Sequence, residues 1–174
     1  DDTPAVVAGG PRRRALLALL VAERGRTVSV ERLADGLWHE PPPTAPNVVQ
    51  VHVSHLRRQL PDGIALEWTG AGYRLDAAPD DVDLGRFEAL VNESAAAQRQ
   101  GLPDAAVDAL SRGLELWVGD PGDGLGDLPC TEPLRRSLEE RRGRAEDRLA
   151  ELLLATGRAA EAIEHLERLV ARTP

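Results

Sequence analysis

The 174-residue chain has no lysine, no methionine, one cysteine, one phenylalanine and one tyrosine. Each scarcity excludes something. Without lysine, no phosphate-binding loop of the G-x-x-x-x-G-K-[ST] kind can exist. The lone Cys130 can build neither an internal disulfide nor a metal cluster, and no role attaches to it. No apolar run approaches the roughly 20 residues of a membrane helix, and the start lacks the charged-then-apolar layout of a secretory signal. A cytoplasmic protein without membrane partners is expected. The chain starts at Asp1 without a methionine and is read as a fragment of a longer protein.

Catalytic constellations are equally scarce. His39, His52, His55 and His165 are dispersed; His52 and His55 lack the i, i+4 spacing and nearby carboxylate of a zinc helix. No nucleophile with a base, and no pair of carboxylates, stands out. A non-enzymatic protein without cofactor or metal is expected. The acidic, glycine-rich stretch 119–127 carries Asp120, Asp123 and Asp127 without the alternating spacing of a calcium loop, and reads as solvated loop.

Hydrophobic residues make up 42% of the chain, enough for a packed core. All 21 basic residues are arginine, and the net charge of −8 hides a split. Residues 12–75 hold nine arginines against six acids, a net of +3, whereas residues 76–174 hold twelve against twenty-one, a net of −9. Only the first part suits the phosphates of nucleic acid.

After Gly9-Gly10-Pro11, Leu16, Leu17, Leu19 and Leu20 predict a first helix over 12–23. Ser29 caps a second over 31–38, where Leu33, Ala34, Leu37 and Trp38 recur at helical spacing before Pro41, Pro42 and Pro43 forbid continuation. Thr44 caps a third running to about Leu60, with Val49, Val53, Leu56 and Leu60 on its core face. The stretches 64–68 and 73–75, separated by Gly70 and Gly72, predict a hairpin. Three short helices and a terminal hairpin make a winged helix-turn-helix over 1–76.

Residues 77–82 form a proline-bearing acidic linker, and 83–174 form an all-helical domain with helices over 84–100, 104–117, 132–156 and 159–172. Gly101, Ala106, Val107 and Leu110 fall opposite Gly157, Ala162, Ile163 and Leu166, an internal repeat. Leu149, Gly157, Ala162 and Pro174 fit tetratricopeptide spacing, so a tetratricopeptide-like domain continuing into further repeats is expected. The fold class is mainly α.

The third helix turns Asn47, Val51, Ser54 and Arg58 away from its core face, flanked by Gln50, His55 and Arg57. Asn and Gln pair bidentately with adenine, Arg with guanine or phosphate, and valine packs on a thymine methyl. Arg12, Arg13 and Arg14 oppose the dipole of the first helix and suit phosphate contact. Thr44, Thr69 and Arg74 complete the candidate DNA contacts, although Arg74 pairs equally well with an acidic neighbour. His52 reads as a structural, packed or hydrogen-bonded residue, and Trp38 and Trp68 read as core residues.

The markers Gly9-Gly10-Pro11-Arg12, Leu33-Ala34-Asp35-Gly36-Leu37-Trp38, Val51-His52-Val53-Ser54-His55-Leu56-Arg57-Arg58, Gly72-Tyr73-Arg74-Leu75, Val82-Asp83-Leu84 with Arg86-Phe87, and Leu116-Trp117 occur in this order. Together they resemble the Streptomyces antibiotic regulatory protein (SARP) family, which joins an OmpR-type winged helix to a bacterial transcriptional activator domain. The resemblance implies activation of biosynthetic gene clusters through promoter direct repeats and recruitment of RNA polymerase. Two departures stand out: the strands that usually precede the first helix are missing, and Thr69 stands where related winged helices often place an arginine. The weak positive charge suggests binding as a homodimer on DNA or with help from polymerase. The rival reading is a tetratricopeptide-type scaffold whose winged helix does not bind DNA.

Overall fold

The computed structural model describes residues 9–23 and 25–172, and these residues form seven α-helices, one 3-10 turn and a two-stranded hairpin. The chain divides into two compact units, Asp1–Gly85 with Gly119–Ser137, and Arg86–Val118 with Leu138–Pro174.

The first unit is built on α1 (Pro11–Ala22), α2 (Val30–Leu37) and α3 (Ala45–Arg57), followed by β1 (Ala65–Trp68) and β2 (Tyr73–Asp76). Pro11 opens α1, where its fixed φ and missing N–H cost nothing, and the helix buries Ala15, Leu16 and Leu20. Ser29 caps α2 as expected, its hydroxyl accepting the Arg32 N–H at 3.2 Å. Helix α3 buries Ala45, Val49, Val53 and Leu56. It ends at Arg57, short of the expected Leu60, because the N–H groups of Gln59 and Leu60 both turn back onto the Leu56 carbonyl ahead of Pro61. Thr44 stands at the start of α3 with helical rather than extended backbone angles, and its side chain makes no capping bond. The expected Thr44 cap is therefore corrected.

The hairpin pairs antiparallel, with Leu66 opposite Leu75, Glu67 opposite Arg74 and Trp68 opposite Tyr73. Val28, between α1 and α2, bridges to Tyr73 through N–H···O bonds of 2.8 and 2.9 Å. Gly70 takes a positive φ of 84°, as a turn-former does. Gly72 is needed for a different reason: a Cβ there would collide with the Val28 carbonyl. Leu66 and Leu75 are buried, but Trp68, expected in the core, is 53% exposed. The side chain lies two residues beyond Leu66 on the same strand face, past the edge of the core, where it meets the Tyr73 ring in a T-shaped contact.

Three apolar residues from well beyond the hairpin complete this core: Leu125, Cys130 and Leu134. The Cys130 N–H donates to the Gly36 carbonyl at 3.1 Å, and the Thr131 hydroxyl donates to the Gly126 carbonyl at 2.8 Å. Asp120, Asp123 and Asp127 are exposed, as a solvated loop requires, but the stretch as a whole is not a loose loop.

The second unit contains most of α4 (Asp83–Arg99), α5 (Pro103–Glu115), most of α6 (Thr131–Ala155), and α7 (Ala159–Arg172). Gly113 lets α5 approach α4, where a Cβ would meet the Leu90 and Phe87 side chains at 3.4 and 3.5 Å. Arg141 pairs with Glu88 at 2.7 Å, and Arg148 bonds Gln98, tying α6 to α4. The repeated positions match in backbone: Gly101 and Gly157 have φ of 72° and 74°, and Ala106 and Ala162 are fully buried. They differ in cover. Val107 and Leu110 are buried on α5, whereas Ile163 and Leu166 are 58% and 43% exposed on α7. Pro174, used in the repeat reading, lies outside the described residues.

Candidate DNA interface

Helix α3 separates its residues cleanly by face. The 3.6-residue period puts Val49, Val53 and Leu56 inside, and the same period leaves Asn47, Gln50, Val51, Ser54, Arg57 and Arg58 exposed, with His55 half-buried. Val51 is 53% exposed in the middle of this polar surface. An α-helix presented this way has the diameter to enter a DNA major groove.

The two C-terminal arginines of the face are not equivalent. Arg57 donates through Nε to the Leu66 carbonyl at 2.8 Å, and its guanidinium carbon lies 6.0 Å from the Tyr73 ring centre. It couples the end of α3 to the hairpin. Arg58, the residue that caps the C-terminus of α3, has no acidic partner among the described residues and faces solvent.

The two hairpin strands carry Glu67, Arg74 and Asp76, a net charge of −1. Arg74 donates to the Glu67 carboxylate at 2.6 Å, so the alternative of pairing with an acidic neighbour is the one adopted. That hydrogen bond and charge hold the Arg74 guanidinium above its ordinary pKa. The Thr69 hydroxyl is engaged with the Gly72 carbonyl at 3.3 Å and the Thr27 hydroxyl at 3.2 Å.

The arginines of α1 diverge, since successive helical residues point about 100° apart. Arg12 donates to the Leu37 carbonyl at 3.3 Å and lies over Trp38 at 5.4 Å, which fixes α1 against the end of α2. Arg13 lies against Gly9. Arg14 lies beside Gly124, where a Cβ would come within 3.3 Å of its guanidinium. Arg12 and Arg13 border a cavity of about 620 Å³ that also contains Trp38, Val48 and His52. Burial, then the charges of Arg13, His55 and Arg12, push the His52 pKa down. Sequence reasoning gave His52 a packing role and did not place it beside these arginines, because only the fold brings α1 and α3 together.

Residues 82–174 match the family model of the bacterial transcriptional activator domain, and residues 4–75 match that of the C-terminal domain of transcriptional regulatory proteins. The chain belongs to the SARP family of transcriptional regulators. This SARP-family chain is 36% identical over 180 residues to the transcriptional regulatory protein EmbR of Mycobacterium tuberculosis, covering 100% of the chain and 46% of EmbR. It is 33% identical over 174 residues to the regulatory protein AfsR of Streptomyces coelicolor, covering 99% of the chain and 17% of AfsR. The transcriptional regulator RedD of the same organism is 34% identical over 169 residues, with 92% of the chain and 48% of RedD covered. A solved structure of M. tuberculosis EmbR in complex with a low-affinity phosphopeptide aligns with a TM-score of 0.85 at 36% identity, over 99% of this chain and 46% of that one. The chain thus spans less than half the length of these relatives.

No described helix is long and apolar enough to cross a membrane, and no group of three or more His, Cys, Asp or Glu among the described residues is placed to hold a metal ion.

Proposed function

We propose that this chain is the DNA-binding and activator portion of a sequence-specific transcription regulator, acting in the cytoplasm by binding and not by catalysis. Helix α3 lies in the major groove, where Asn47, Gln50, Val51, Ser54 and Arg58 read base edges and His55 and Arg57 border the backbone. Thr44, at the start of that helix, and Arg12 and Arg13, beside His52, are placed for phosphate contact, with Arg14, Thr69 and Arg74 more peripheral. Bound to direct repeats upstream of biosynthetic genes, two copies side by side recruit RNA polymerase. The modest positive charge of residues 12–75 makes such shared binding necessary for useful affinity.

The observation that carries this reading is Val51. A β-branched apolar residue 53% exposed on a helix, between Asn47, Gln50, Ser54 and Arg58, gains nothing from solvent. Against a thymine methyl it is desolvated. The test is selection of bound sequences from a random DNA pool by the purified protein, repeated with Asn47→Ala, Val51→Ala and Arg58→Ala. A short repeated motif should be enriched, and each variant should relax it at one position by roughly 1–3 kcal/mol. A folded protein that enriches no motif would instead act as a helical scaffold, and the DNA reading would be wrong.

A further inference from the structure

The end of the hairpin has no charge left for DNA, yet it holds out a large apolar surface. Arg74 is neutralised by Glu67 at 2.6 Å, and the Thr69 hydroxyl is already engaged by Gly72 and Thr27. Beside them Trp68 stands 53% exposed. The half-exposed indole meets Tyr73 in a T-shaped contact at a centroid separation of 5.1 Å. Tyr73 in turn lies under Arg57, whose Nε fixes the last turn of α3 to Leu66, on the same strand as Trp68. Arg57, Tyr73 and Trp68 therefore form one row from the C-terminal turn of the proposed reading helix to the hairpin end.

We infer that Trp68 is a DNA-contacting residue of the wing, packing its exposed indole on the deoxyribose rings that wall the groove beside the segment read by α3. This rests on the DNA-binding reading above. Three considerations support it. The sugar is the apolar part of the nucleic-acid backbone and the natural partner for a rigid aromatic on a hairpin whose one arginine is already paired. An indole covers a large area while giving up little rotamer freedom. The row from Arg57 to Trp68 makes the indole continuous with the reading surface, so no separate docking event is needed. An uncharged contact of this kind adds affinity without releasing counterions, which sets it apart from an arginine wing.

The experiment uses the full chain and the motif that the wild-type protein selects. Equilibrium binding across a salt series is compared for wild type, Trp68→Ala and Trp68→Phe, with indole fluorescence followed on titration and circular dichroism confirming the fold. Trp68→Ala should bind about tenfold more weakly, with the slope of log K against log salt unchanged. Trp68→Phe should keep most of the affinity and lose the main fluorescence change on DNA addition. Wild-type affinity in Trp68→Ala, or a DNA-induced fluorescence change identical in wild type and Trp68→Phe, overturns the inference while leaving α3 as the reader. Self-association lost in Trp68→Ala with DNA affinity intact overturns it too, in favour of a contact between copies. If wild type selects no motif, the DNA reading fails and takes this inference with it.

Discussion

The Glu67 carboxylate holds the Arg74 guanidinium at 2.6 Å across the hairpin, and the two residues are direct register partners on adjacent strands. The pair is 43% exposed on each side, so solvent screens it and it adds little to stability. Its larger effect is electrostatic, because it cancels a cation on the surface proposed to face DNA. Glu67→Gln should free Arg74, raise affinity for DNA of any sequence several-fold, and steepen the salt dependence of log K by about 0.9 for one added phosphate contact. An unchanged salt slope in Glu67→Gln would mean that the hairpin does not approach the backbone.

Leu134 is a consequence of where the chain goes after α5. It starts well outside the hairpin in sequence, yet it packs in the same core as Leu16, Leu33 and Leu56. Leu134→Ala should cost the winged-helix unit roughly 2–4 kcal/mol, as large-to-small core changes do. The neighbouring thiol offers the readout. Burial pushes the Cys130 thiol above its ordinary pKa, which keeps it protonated and slow to alkylate at pH 8 in the folded protein. Iodoacetamide should modify Cys130 much faster in Leu134→Ala; equal rates would place Cys130 and Leu134 in separately stable regions.

Much of this architecture is legible from local rules. Pro11, Ser29 and the three prolines at 41–43 mark helix ends through φ restriction and capping, and the spacing of Val49, Val53 and Leu56 orients α3. These signals are local, so one sequence carries them. Three features escape such reasoning because they depend on distant partners. Gly72 reads as a turn-former, yet its requirement comes from the Val28 carbonyl, some forty residues earlier. Trp68 follows the strand alternation of Leu66 but falls beyond the edge of the core, a boundary that no strand pattern encodes. Leu125 and Cys130 sit in or beside a glycine-rich stretch without periodicity, where nothing announces burial in a core whose residues from Ala15 to Leu75 lie 50 to 115 residues upstream. At the site, the face of α3 could be read from its period, while the separate directions of Arg12, Arg13 and Arg14 needed the surrounding elements in place.

In the helical unit, Glu146 is buried between two arginines, taking both Nη atoms of Arg172 at 2.6 Å and Nε of Arg142 at 3.0 Å. His165 donates from Nε2 to the Glu146 carbonyl at 3.0 Å, so the same residue anchors α7 through its side chain and its backbone. Burial alone would push the carboxyl pKa up, but Arg172 and Arg142 outweigh it and leave the value below the ordinary range. A carboxyl depressed in the folded state stabilises above its unfolded pKa of about 4.3, and that stabilisation is lost as the pH falls through the lower folded value. Glu146→Gln should cost roughly 1–3 kcal/mol at pH 7 and flatten the acid limb of the melting curve. A variant that melts like wild type at both pH 7 and pH 4 would show that α7 is held by packing alone.

His52 works in the opposite sense. Its pKa is lowered first by burial, then by the charges of Arg13, His55 and Arg12, while Asp127, which borders the same cavity, is the acidic group on that side. Unfolded, the ring titrates near 6.5. Between that value and the lower folded pKa, the unfolded chain binds more protons than the folded one, so stability must rise with pH across this window and level off above about 7. His52→Gln removes the titrating ring but keeps a polar side chain of similar reach. Thermal melting without DNA from pH 5 to 7.5 should show a rising Tm in wild type and a shallower rise in His52→Gln. Parallel curves would mean that His52 charges as freely in the folded protein as in the unfolded chain. Arg12 and Arg13 would then exert no appreciable field at α3, which would remove the electrostatic argument for placing them beside the DNA-facing helix.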